Sequence, residues 1–235
     1  MHGRTHRDMN TSRPLQNGVI AYFNAAETMI REFIKMLNIQ RGIFSPALKM
    51  VICIPSGITD VEERAVKDSA EHAGARDVRL IHEPMAAAIG IGIDVLEPTG
   101  NMIVDIGGGT SEIAVIALGG IVNNTSIRVA GDELNSNIID YMRVEHKISI
   151  GESTAERIKI EVGAAITDID VKPEDYAVHG RDMLTGIPKE VRINYMEIAG
   201  ALDKTISKIE TAILNEKKKT PPELSADIYR TGIYL

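Results

Sequence analysis

Apolar residues along this chain alternate between two rhythms, short continuous runs and a longer spacing of three to four. GVIAYF at 18–23 reads as a short strand. Asn24 then stands where it would cap a helix to Leu37, with Met29, Phe33, Ile34 and Leu37 on one face. RGIFSPALK is a loop broken by Pro46. MVICIP at 50–55 is apolar and β-branched, which predicts a buried strand stopped by Pro55. Asp60 is expected to cap the next helix, which runs to about Ala73. Its Glu62 and Glu63 fall in the first turn and Gly74 just past the end. VRLI at 78–81 predicts a strand, and EPMAAAIGIGI opens another helix.

Further on, 102–106, 111–118 and 121–129 read as three strands of a meander with turns at GGGT and GG. Helices are expected from Asp132 to about His146 and over 153–166, followed by a β-like stretch through 194. From 195 to 217, Ile198, Leu202, Ile206, Ile209 and Ile213 make one face of a long amphipathic helix. EKKKTPP reads as a solvated turn, and ADIYRTGIYL as the start of another strand. Strand–helix–strand units up to Gly100, then a meander with helices, predict an α/β protein of two lobes.

Composition narrows the function. Aromatic residues make up 4% of the 235 residues and there is no Trp, so a stacking platform for single strands is not expected. A net charge of −7 supplies no electrostatic term for a phosphate backbone, so no nucleic-acid partner is expected. The single cysteine, Cys53, has no internal disulfide partner and suits a reducing cytosol. No apolar run reaches membrane-spanning length, and Met1–Pro14 is polar. His2, His6, His72, His82, His146 and His179 are scattered without ligand spacing.

The candidate chemistry sits in IVDIGGGTSEIAVI at 103–116. Three glycines between two strands exceed what a turn requires. They allow close approach of a ligand and let several N–H groups converge as a phosphate-binding nest. Asp105 ends the first strand, where its carboxylate could hold a metal directly or through water, and Thr110 offers a hydroxyl beyond the turn. A flexible hairpin with a capping Asp is the other reading of the turn alone. Glu83 adds weight to the first. In HEPMAAAIG, Pro84 suits the first helical turn, so Glu83 stands at the helix N-terminus, while Ala86, Ala87, Ala88 and Gly90 leave a bare face. A carboxylate facing a glycine nest could orient a water against a terminal phosphate.

VDIGGGTSEIAVI resembles the second phosphate motif of the actin, Hsp70 and sugar kinase ATPases. HEPMAAAIG, LGGIVNNTSIRVAGDELN and GESTAERIKIEVGAA together resemble the MreB family of bacterial actin homologues, the rod shape-determining proteins. VICIPSGITDVEERAV, VHGRDMLTGIPKEV and LSADIYRTGIYL extend the match from about Gly3 to the last residue. The resemblance implies an α/β, two-lobed actin-like ATPase fold of ribonuclease H-like type. In it, 1–99 form part of the first lobe, 100–133 and 198–235 part of the second, and 134–197 a small inserted subdomain. It also implies a chain incomplete at both termini, beginning past the family's first phosphate loop and stopping before its adenine-packing glycine motif. ATP affinity would then be reduced.

By the same resemblance, the cofactors are ATP and Mg²⁺. Asp105 would hold Mg²⁺ through water, and Gly107, Gly108 and Gly109 would cradle phosphates. Glu83 and Thr110 would position the attacking water. Gly131, Asp132, Glu156, Arg157, Ile158 and Lys159 would contribute to the nucleotide site, the last four at ribose and adenine, although AERIK by itself reads as a solvated helical charge run. Asn135 stands where the family pattern has a second acid. The implied partners are further copies in filaments, the cell-wall elongation machinery and the inner face of the plasma membrane, with a cytoplasmic, membrane-associated location. Ile43 and Phe44 occupy the place of a lipid-inserting loop, or else pack on their lobe. Two such side chains contribute about 3–6 kcal/mol on burial, so anchoring would need many subunits together. An Hsp70-like chaperone or a small-molecule kinase of the superfamily is the alternative.

Overall fold

The computed structural model describes residues 13–16, 19–37 and 48–235. The chain divides into two compact units. One comprises Ser12–Arg128 with Ala212–Leu235, and the other contains Val129–Thr211.

In the first unit, β1 (Leu15–Gln16) pairs antiparallel with β2 (Val19–Ile20). The expected strand at 18–23 ends early, because Ala21 and Tyr22 turn their N–H groups to the Pro14 carbonyl. α1 spans Phe23–Met36 with Tyr22, not Asn24, at the N-cap. Asn24 lies inside the helix, where its carbonyl accepts the Thr28 hydroxyl at 2.8 Å. The packed face of α1 is centred on Ala26 and Ile34, against α2 (Asp60–His72), and this rotation leaves Phe33 and Leu37 exposed.

β3 (Lys49–Ile54) and β4 (Asp77–His82) form a two-stranded parallel sheet. The expectation of a buried strand fails here. β3 alternates, with Ile54 buried and Val51 71% exposed, because among the described residues only one face of the pair is covered. Thr59, one residue before the expected Asp60, caps α2 in a reciprocal box. Glu62 N–H donates to its hydroxyl and Thr59 N–H to the Glu62 carboxylate. The Thr59 hydroxyl, which donates to that carboxylate at 2.7 Å, and then the Thr59 N–H hold the Glu62 carboxyl below its ordinary range. Gly74 follows with φ of 109°, as its position past the helix predicts.

α3 (Glu83–Gly90) leads to the meander β5 (Asn101–Ile106), β6 (Ser111–Ala117) and β7 (Gly120–Ile127), close to the expected bounds. β6 is buried along its whole length, as its near-continuous apolar run requires of a central strand. Ala88, expected on a bare helix face, packs against Ile103 and Ile116 on one side of this sheet.

The second unit begins with α4 (Gly131–Val144), β8 (Ile148–Ser149) and α5 (Glu152–Val162). α5 stops at Val162 because Gly163 turns to extended backbone, earlier than the expected 166. β9 (Tyr176–Asp182) and β10 (Pro188–Ile193) complete an antiparallel sheet in the order β10-β9-β8. α6 (Tyr195–Lys219) opens at Asn194, whose side-chain oxygen accepts the Met196 and Glu197 N–H groups. Its Ile198 and Leu202 join Ile138, Met142, Ile148, Ile158, Val178 and Ile193 in the core of this unit.

From Ala212 the chain belongs again to the first unit. α6 continues to Lys219, so the expected solvated turn is helical as far as that residue and its Glu216 is fully buried. α7 (Pro222–Thr231) replaces the strand expected from Ala226. Pro222 supplies the first turn, and Leu224 and Ile228, one turn apart, face the core with Met102, Val104, Ile113 and Val115. Only β11 (Ile233–Tyr234) is strand, pairing parallel with β5 to give the order β11-β5-β6-β7.

Candidate functional site

The β5–β6 hairpin brings Asp105 directly opposite Glu112 in its ladder. Two carboxylates facing one another on adjacent strands repel, so stability alone does not select them. Glu83, the first residue of α3, carries a third carboxylate toward the same place. Its pKa is pushed up to about 7, first by burial and then by the negative charges of Glu112 and Asp105. The α3 N-terminus favours the ionised form, so burial and two like charges outweigh the helix dipole. The exposed Cys53 thiol is also pushed up, by burial and by Glu83 and Asp105.

Glu112 is 1% exposed yet both its oxygens have donors. Ser56 N–H donates at 2.9 Å, and the Ser126 hydroxyl on β7 donates to the other oxygen. The Ser56 hydroxyl is buried without a hydrogen-bond partner among the described residues. Sequence reasoning missed Glu112, Ser56 and Ser126. The available signal was a Glu inside SEIAVIA, a run otherwise fit for a strand buried on both faces.

The glycine turn is closed by Gly107 N–H donating to the Thr110 carbonyl at 2.9 Å. None of its three glycines has positive φ, so left-handed backbone does not account for them. A Cβ on Gly108 would meet nothing within 4 Å, so crowding does not account for that glycine either. Gly107 and Gly108 are exposed, whereas Thr110 is buried behind them. An open, exposed glycine turn of this kind fits a ligand with phosphate oxygens.

The remaining expected residues belong to the other unit, where α4 and α5 contact each other. Lys159 Nζ donates to Glu156 Oε2 at 2.8 Å and reaches the Gly131 carbonyl at 3.5 Å. Asn135 Nδ2 donates to the same Glu156 oxygen at 2.7 Å. Gly131, Glu156 and Lys159 are therefore brought together, with Asp132 half-buried in the adjoining turn of α4. Arg157 is exposed on α5. The Ile158 side chain is fully buried in the core of this unit. Asn135, at the place of an expected acid, joins Lys159 as a donor to Glu156.

Ile43 and Phe44 lie outside the described residues. Among the described residues no helix is long and apolar enough to cross a membrane, and no three His, Cys, Asp or Glu side chains cluster as a metal site.

Comparison with known proteins finds relatives over the whole chain. The chain is 44% identical over 235 residues to the cell shape-determining protein Mbl of Bacillus subtilis, covering 100% of this chain and 69% of that protein. It is also 44% identical to the cell shape-determining protein MreB of Escherichia coli K12, covering 100% and 67%. The crystal structure of MreB5 of Spiroplasma citri bound to ADP superposes with a TM-score of 0.91 at 36% identity, over 98% of this chain and 68% of that one. The AMPPNP-bound form of the same protein gives 0.90 at 37%, with the same coverage. The subunit of the MamK double helical filament shares the fold, with a TM-score of 0.73 at 20% identity over 92% of this chain and 64% of that one. The architecture is thus the expected actin-like α/β fold. The description of the MreB/Mbl protein family matches residues 1–235, and the chain belongs to that family.

Proposed function

We propose that this chain is an actin-like cytoskeletal ATPase that binds ATP with Mg²⁺, assembles with further copies into filaments and determines cell shape. Its relatives are named for cell shape, which favours this reading over a chaperone or a small-molecule kinase. The nucleotide complexes of MreB5 support ATP as the ligand. The observation that carries the proposal is the convergence of Glu83, Asp105 and Glu112 at an open glycine turn.

In this reading the Gly107–Gly109 amides bind phosphate oxygens, and Asp105 would hold Mg²⁺ through water, which when bound would offset the charge that builds on the phosphates during transfer to water. Glu83 accepts the proton of the attacking water. A carboxyl pushed up to about 7 suits that task near neutral pH. Thr110 helps to position the same water. Gly131, Asp132, Glu156, Arg157 and Lys159 bound the ribose and base, and Ile158 supports them from the core. Non-closing head-to-tail contacts produce the filament. The inner membrane face and the cell-wall elongation machinery are its proposed partners, with Ile43 and Phe44 as the lipid contact.

Purified chain mixed with Mg-ATP tests this by phosphate release and light scattering. Release that falls at least about tenfold in Glu83→Ala, with scattering that rises on adding nucleotide, is the expected result. Neither signal from folded protein, or equal release by the variant, overturns it.

A further inference from the structure

The β3–β4 sheet and the four-stranded sheet β11-β5-β6-β7 share no ladder among the described residues. Glu112 joins them. From the middle sheet position of β6, one carboxylate oxygen takes the N–H of Ser56, two residues past the end of β3, and the other takes the Ser126 hydroxyl on β7. The turn after β3 lies close on β7 at this point. A Cβ on Gly57 would fall 3.0 Å from Ser126 Cβ and 3.4 Å from its Oγ. Ile54 at the end of β3 is in register with His82, the last residue of β4, and Glu83 follows it directly as the first residue of α3.

Stability alone does not call for this carboxylate. A buried charge is costly even when hydrogen-bonded, and its neighbours Ile113–Ala117 are apolar. Glu112 also faces Asp105 across the ladder. We propose that Glu112 is a positioning residue: by clasping Ser56 and Ser126 it fixes the end of β3, and through the β3–β4 ladder the Glu83 carboxylate, against the glycine turn. The inference rests on the proposed ATPase reading for its consequence in turnover, whereas the clasp itself is tested without nucleotide.

Cys53, the only cysteine in the chain, reports the clasp. It is exposed at the end of β3, and its thiol is held up by burial, Glu83 and Asp105. Freeing that strand end removes these influences and speeds alkylation, since the thiolate is the reacting form. Iodoacetamide labelling of the full chain, followed by mass spectrometry, is compared for the native protein, Glu112→Ala, Glu112→Gln and Ser126→Ala. Labelling at least about threefold faster in Glu112→Ala and Ser126→Ala is expected. Glu112→Gln, whose amide can still accept from Ser56 and donate to Ser126, should stay within about twofold. Ser126→Ala retains the bond to Ser56 and serves if Glu112→Ala does not fold. Native-like labelling in Ser126→Ala and in any folded Glu112→Ala overturns the proposal.

A second readout is turnover. kcat for phosphate release should fall at least about tenfold in Glu112→Ala with KM within about threefold, and Gln should recover most of the loss. Unchanged kcat in folded Glu112→Ala overturns the positioning role. Absence of release by the native protein refutes the ATPase reading instead, and the labelling rates still decide the clasp.

Discussion

Glu216, fully buried near the end of α6, accepts a hydrogen bond from Asn123 Nδ2 on β7 at 2.8 Å. Thr125 on the same strand donates its hydroxyl to the other carboxylate oxygen, and Lys219 pairs with that oxygen at 3.3 Å. One carboxylate thereby pins the last turns of a helix to the outer strand of the sheet. Glu216→Ala leaves the partly buried Thr125 hydroxyl without its acceptor, and Asn123 with only its longer bonds, 3.3 Å each, to the residue-216 carbonyl and the Thr220 hydroxyl. It should cost about 1–3 kcal/mol in urea denaturation, and Glu216→Gln should cost less because one acceptor oxygen survives.

Gly100 is fixed by close approach. A Cβ there would lie 2.8 Å from Leu224 Cβ and 2.9 Å from the Leu224 carbonyl, and backbone cannot move aside as a side-chain tip can. The same residue donates its N–H to Asp227 at 3.0 Å. Gly100→Ala should therefore push α7 from the sheet and lower stability by about 1–3 kcal/mol, read from the denaturation midpoint.

Gly108 should behave in the opposite way. With open space around the added methyl and no positive φ to strain, Gly108→Ala should leave stability within about 1 kcal/mol or raise it slightly. Binding of a fluorescent ATP analogue should nevertheless weaken at least about tenfold, because the methyl fills the proposed phosphate cradle. Unchanged binding would remove the cradle from the site.

Glu83 makes stability depend on pH in a direction unusual for a carboxylate. Its pKa rises from the ordinary 4.5 to about 7 in the folded chain, so the folded form holds the proton more tightly than the unfolded one. Its contribution is complete below about 4.5 and is lost as pH climbs through about 7. Glu83→Gln stays neutral throughout. Between about pH 5 and about pH 8, the native chain should lose stability relative to that variant, measured as the difference in urea midpoints.

Removing one neighbouring charge should bring that carboxyl down. Glu112 is the larger of the two charge contributions on Glu83, after burial. In Glu112→Gln the side-chain carbon resonance of Glu83 should titrate below the native midpoint of about 7. An unmoved midpoint would leave burial and the Asp105 charge as its causes.

Much of this protein was legible in the order of its residues, because the information is local. The meander, the capped helix before Gly74, and the long helix with Ile198, Leu202, Ile209 and Ile213 follow from spacing and end signals. Glu83 at a helix start, Asp105 at a strand end and the glycine turn between strands were likewise readable, since motif and neighbours lie within a few positions.

What tertiary structure alone decided is which faces are covered and which distant residues meet. Val51 and Cys53 are open because, among the described residues, their sheet has two strands and one covered side, while Glu216 is buried because β7 supplies its donors. Asn24 lost the cap to Tyr22, and the end of the chain became α7, once packing set the helix starts and faces. Ile158 turned to the core while Glu156 and Lys159, on the same helix, met Asn135 and Gly131. Glu112 joins Ser56 across 56 positions of sequence. Local periodicity records a residue's preference for a face, whereas burial and pairing depend on which other segment occupies that face.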